Sequence, residues 1–125
     1  RNYANKKASE RYIAFLDSDD VWFPNKLKVQ LDFMKLNNYS FVFSSYQVIS
    51  ENNSNVINEI VVPNKISYNQ YLKNTIIGCL TVMIDKNSYE ELQMPDLRSS
   101  HDMALWLDLL REGGFAYGIE QPLAQ

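Results

Sequence analysis

A three-layer α/β sandwich built on a mixed sheet is the fold class this sequence predicts, and three observations predict it. Tyr12-Ile13-Ala14-Phe15-Leu16 is a continuous apolar run of strand length, as in a strand buried on both faces. Apolar residues take up helical spacing at Leu27, Leu31 and Met34, and again at Met103, Trp106, Leu107 and Leu110. Between these segments β-rich runs alternate with polar turns, giving the order αβαββαβααβ, which suits helices on both faces of a sheet. With 125 residues, 46% of them hydrophobic, the chain reads as one domain over 1–125 with a single core.

Residues 1–9 are polar, with Ala4 and Ala8 one turn apart, and read as the last turns of a helix. The strand at 12–16 ends abruptly in Asp17-Ser18-Asp19-Asp20. Pro24 suits the first turn of a helix that runs to about Leu36 and closes at Asn37-Asn38. Residues 40–49, rich in Phe, Val and Tyr, predict a strand, and 56–62 predict its hairpin partner across the polar turn 51–55. Ser67 caps a short helix carrying Tyr68, Tyr71 and Leu72. A third strand is predicted over 76–84, followed by a helical turn or two within 85–92. Ser99 or Ser100 caps the Trp106 helix, Gly113-Gly114 stops it, and 115–119 form a last short strand.

Composition removes several classes of function. No run of eighteen apolar residues is present for a membrane span, nor a basic segment leading into an apolar one as in a secretion signal. The net charge of -3 argues against a nucleic-acid partner, since phosphate neutralisation calls for a basic surface. The lone Cys79 excludes an internal disulfide and a four-cysteine zinc site, and fits a reducing, cytoplasmic location.

Two strings carry chemistry. In an extended segment residues two apart project the same way, so Asp17 and Asp19 present paired carboxylates at the C-terminal edge of a strand, where open α/β sheets bind ligands. Hard cations such as Mg²⁺ or Mn²⁺ take such oxygen ligands together with substrate phosphates. The alternative is an Asp-rich turn, solvated and capping the next helix. An EF-hand fails, because its fifth position is Val21 and its twelfth Lys28. A haloacid-dehalogenase-type phosphatase loop fits only superficially, with Asp20 where a glycine is usual. The second string is Ser99-Ser100-His101-Asp102 at a helix start. Asp102 reads either as a first-turn carboxylate stabilised by the helix dipole or as a general base beside an acceptor hydroxyl. His101 reads as a neighbour of the cap or a lining group of the same pocket.

With both strings placed, the chain resembles the family 2 inverting glycosyltransferases of GT-A fold, most closely the bacterial members of the teichuronic-acid type that build surface polysaccharides. The resemblance runs from Arg1-Asn2-x-Ala4 through Tyr12-Ile13-Ala14-Phe15-Leu16-Asp17-Ser18-Asp19-Asp20-Val21-Trp22-x-Pro24-x-Lys26-Leu27. It continues at Ile77-Gly78-Cys79-x-Thr81-Val82-Met83-Ile84 and His101-Asp102-x-Ala104-Leu105-Trp106-Leu107. It implies that Asp19 ligates Mg²⁺ or Mn²⁺ on the diphosphate of a nucleotide-sugar and that Asp17 faces the metal and the ribose. It implies further that Asp20 holds the loop or donor sugar, and that Asp102 is the base activating the acceptor hydroxyl. Arg1 and Asn2 match donor-side positions, and Trp22 offers a stacking surface for sugar or nucleotide.

The resemblance also implies that the first βαβ nucleotide-binding unit of the family is lacking, which makes this a GT-A-like fragment with impaired catalysis and an exposed, self-associating strand edge. UDP is the expected donor nucleotide. The acceptor is a saccharide or a lipid-linked sugar, and a lipid-linked acceptor would bring the parent protein to the inner membrane face. The rival function is a non-catalytic sugar-binding or assembly module that keeps the fold.

Overall fold

A computed structural model describes residues 11–15, 21–50, 55–88, 101–111 and 114–125, with the backbone alone for 101–104. The strands are β1 (Tyr12–Ala14), β2 (Phe41–Ile49), β3 (Val56–Ile60), β4 (Lys65–Ile66), β5 (Met83–Asp85) and β6 (Ala116–Ala124). The helices are α1 (Lys26–Asn37), α2 (Tyr68–Lys73) and α3 (His101–Leu110). One mixed sheet runs in the order β1-β5-β2-β6-β4, and β3 adds to β2. Because β5 is antiparallel to both β1 and β2, and β2 is parallel to β6, strands β1, β2 and β6 all point the same way.

Alternation along the strands produces the three layers. Ile13, Ile84 and Phe41 lie in register across β1, β5 and β2, and join Phe15, Phe43, Trp106 and Leu110 in the larger core, under α2 and α3. One residue along each strand, Ala14, Met83 and Val42 line up on the opposite face and pack with Met34 of α1. Burial on both faces explains why 12–15 reads as an uninterrupted apolar run.

Local signals explain the element ends. Asn38 adopts a left-handed conformation with φ 58° and ends α1, its N–H donating to the Met34 carbonyl. Ser67 and Gln70 form a reciprocal capping box that starts α2. The hairpin expected between 40–49 and 56–62 is present, with β2 and β3 antiparallel and the Ser50 N–H donating to the Asn55 carbonyl at 2.8 Å.

Three expectations are corrected. The strand predicted over 76–84 is confined to β5, because Cys79–Thr81 winds into a 3₁₀ turn closed by the Thr81 N–H on the Gly78 carbonyl. The closing strand is longer than 115–119, since β6 continues through Pro122, opposite Ser45, by way of register shifts against β2. Helix α1 buries Lys26, Gln30 and Met34, while Leu27 is exposed and Leu31 half-buried. Leu27 and Leu31 instead line a shallow apolar hollow beside Tyr12, Ala14 and Met83.

Candidate functional site

The parallel strands define an edge. The chain leaves β1 at Phe15, passes through the acidic string and returns to the described structure at Val21. There Val21 donates to the Gln125 carbonyl at 3.1 Å and Gln125 donates back at 2.7 Å, while the Phe23 N–H donates to the Leu123 carbonyl at 2.9 Å. Trp22 bridges antiparallel to Ala124. The described flanks of the acidic string are thus fastened to the C-terminal ends of two parallel strands, β1 upstream and β6 downstream. That is the edge at which open α/β sheets bind ligands.

Helix α3 meets the same place from one face of the sheet. The Phe15 ring packs edge-on against Trp106, with centroids 5.6 Å apart and planes at 74°. Phe41 packs on the same indole at 5.5 Å. This contact sets Phe15, the last described residue before the acidic string, against the helix that carries His101 and Asp102 in its first turn. Trp106 Nε1 is buried and has no hydrogen-bond partner among the described residues.

The downstream flank is held by a buried polar latch. Trp22 Nε1 donates to the Leu80 carbonyl at 2.9 Å. Lys26 Nζ sits 4.3 Å from the centre of the Trp22 ring and donates to Gln30 Oε1 at 2.6 Å. Gln30 Nε2 in turn donates to the Thr81 carbonyl. Lys26 and Gln30 are both fully buried. Burial pulls the Lys26 ammonium down to about 7, opposed only by the nearby Cys79. A polar face of α1 turned inward has no periodic signature, so reading hydrophobic spacing missed Lys26 and Gln30. The only signal for Lys26 is its place in the Trp22-x-Pro24-x-Lys26 string.

At the opposite, N-terminal end of β1, Asp85 is buried and accepts a forked pair of hydrogen bonds from Arg11 Nε and Nη2, the shortest at 2.8 Å. The Asn87 N–H adds a third donor at 3.1 Å. Asp85 holds the Arg11 guanidinium above its ordinary value, first through the hydrogen bond and then through charge. This pair fastens the start of β1 to the end of β5 and is structural.

Among the expected site residues, Arg1, Asn2, Asp17, Asp19 and Asp20 lie outside the described residues. His101 and Asp102 are placed by backbone in the first turn of α3. Trp22 is half-buried, with its N–H and one ring face engaged as above. Among the described residues no group of three or more His, Cys, Asp or Glu side chains gathers to hold a metal.

Comparison with known proteins identifies the family. The family named Glycosyl transferase family 2 matches residues 1–92. A Bacillus subtilis protein named, provisionally, as the teichuronic acid biosynthesis glycosyltransferase TuaG is 45% identical over 125 residues, covering 100% of this chain and 50% of the relative. The Escherichia coli protein WfgD, named as a UDP-Glc:alpha-D-GlcNAc-diphosphoundecaprenol beta-1,3-glucosyltransferase, is 44% identical over 116 residues, covering 93% of this chain and 45% of that protein. WfaP of the same species, with the same named activity, is 37% identical over 113 residues, covering 90% and 44%. The chain therefore spans about half the length of the curated relatives it matches.

Proposed function

The chain belongs to glycosyl transferase family 2, and from that premise we propose that it carries the acidic and catalytic half of a nucleotide-sugar transferase of bacterial surface-polysaccharide synthesis. The donor is a UDP-sugar and the acceptor a saccharide or lipid-linked sugar, as the names of the similar Escherichia coli proteins suggest. One observation carries the reading: both described flanks of the acidic string are tied to parallel strand ends, beside the helix that bears Asp102.

Asp17 and Asp19 offer hard oxygen donors two residues apart, a donor set that fits Mg²⁺ or Mn²⁺. Such a cation, when bound, neutralises charge on the departing diphosphate. Asp102 takes the proton from the acceptor hydroxyl as that oxygen attacks the anomeric carbon. The bond to the diphosphate breaks on the opposite face, which inverts the configuration. Asp20, Arg1, Asn2 and His101 are assigned to the donor and acceptor pockets. Trp22 serves chiefly by holding the strap that follows the acidic string.

The catalytic assignment is tested with Asp102→Asn, which keeps the helix start but removes the base. We expect kcat to fall by about a hundredfold or more, with metal-dependent UDP binding retained. Wild-type turnover in that variant, or a product with retained anomeric configuration by NMR, contradicts the assignment.

A further inference from the structure

We propose that Lys26 is a positioning residue for the acidic string, acting through Trp22 and Gln30; this rests on the transferase reading of that string. The placement is unusual on energetic grounds. Lys26 is fully buried; its ammonium donates to Gln30 Oε1 and lies over the Trp22 ring, with Cys79 near enough to act on it electrostatically. A methionine of similar length would fill the same space with no charge to desolvate, and replacing buried ionic groups by apolar ones is often neutral or stabilising. A group that costs stability therefore calls for a role that an apolar side chain would not fill.

The role follows from donor and acceptor logic. A protonated lysine only donates, so the Lys26 ammonium turns Gln30 Oε1 toward itself and Nε2 away. Nε2 then meets the Thr81 carbonyl, while the Trp22 indole N–H meets the adjacent Leu80 carbonyl. Two consecutive carbonyls of the turn that leads into β5 are thereby held by two donors whose orientation Lys26 fixes. The Lys26 backbone N–H also donates to the Phe23 carbonyl, closing the strap 21–23 onto α1. The latch thus joins the downstream flank of the acidic string to the segment entering β5, and β5 pairs with β1, the upstream flank. The two described flanks of the acidic string are thereby tied to one another.

A merely structural lysine and a positioning one respond differently to Lys26→Met. The test is calorimetric titration of UDP with Mn²⁺ into the full-length protein, together with its melting temperature. We expect at least threefold weaker metal-dependent UDP binding with a melting temperature equal to or above wild type. Gln30→Glu, which keeps an acceptor for the ammonium but removes the donor to the Thr81 carbonyl, should weaken binding in the same way and serves if Lys26→Met fails to fold. Binding within threefold of wild type in the folded variants overturns the proposal, as does a loss of binding that only accompanies a lower melting temperature. If the wild-type protein itself shows no metal-dependent UDP binding, the transferase reading falls and takes this role with it. If the wild type binds and the variants bind equally, the role of Lys26 alone falls.

Discussion

Asp85 and Arg11 show how the surroundings of a charge decide its importance. The Asp85 carboxylate is 5% exposed and the Arg11 side chain 54% exposed, so removing the arginine strands a buried anion, whereas neutralising the aspartate returns a cation to water. Arg11→Met is therefore expected to lower the melting temperature more than Asp85→Asn; an equal or smaller loss contradicts this. Lys26 makes the opposite case, a buried cation whose folded value lies near 7 against 10.5 unfolded. Below about pH 7 the folded state carries the full cost of the buried charge. As pH rises from about 7 towards 10.5 the folded protein releases that proton before the unfolded chain does, so stability rises across this window. The slope approaches about 1.4 kcal/mol per pH unit, and denaturant unfolding at several pH values should show it in the wild type but not in Lys26→Met. Other ionisable groups change protonation over the same pH range, which is why the difference between the two proteins is the quantity to measure. Superimposable profiles would contradict the burial of a titrating amine.

Among the elements, β6 shows most clearly what sequence pattern conveys and what it omits. Phe115 to Ile119 is legible as a strand, but Glu120-Gln121-Pro122 carries polar residues and a proline, and only tertiary pairing with β2 extends the strand to Ala124. The hairpin β2–β3 and the cap at Ser67 were legible because turn and cap chemistry is local. The 3₁₀ turn at Cys79–Thr81 was not, because its β-branched surroundings favour a strand and the turn is held by distant donors from Trp22 and Gln30. In the candidate site, the position of Asp102 in a first helical turn was legible, whereas the latch was hidden because an inward polar face made by Lys26 and Gln30 carries no hydrophobic period. Close approach is equally silent in sequence. A Cβ on Gly118 would stand 2.0 Å from the Pro63 carbonyl oxygen, beneath the chain that crosses β6 with the Gly118 N–H bonded to Asn64. Gly118→Ala is expected to cost on the order of 3 kcal/mol or prevent folding, while Gly114→Ala, whose nearest neighbour would be 3.8 Å away, should be within about 1 kcal/mol of neutral. Equal stability of the two variants would contradict the tight crossing.

At the scale of the whole molecule, the mixed sheet places β1 at one end of the strand order, with no strand on its outer side among the described residues. Among the described residues no helix is long and apolar enough to cross a membrane. The central claim is that the acidic string at the edge of β1 and β6 is a metal-dependent nucleotide site. Calorimetric titration of UDP tests it directly, with Mn²⁺, with a chelator, and in Asp19→Asn. The account predicts binding with Mn²⁺ that disappears with the chelator and in the variant; binding that persists unchanged in either condition, or its absence with Mn²⁺ in the full-length protein, would contradict it.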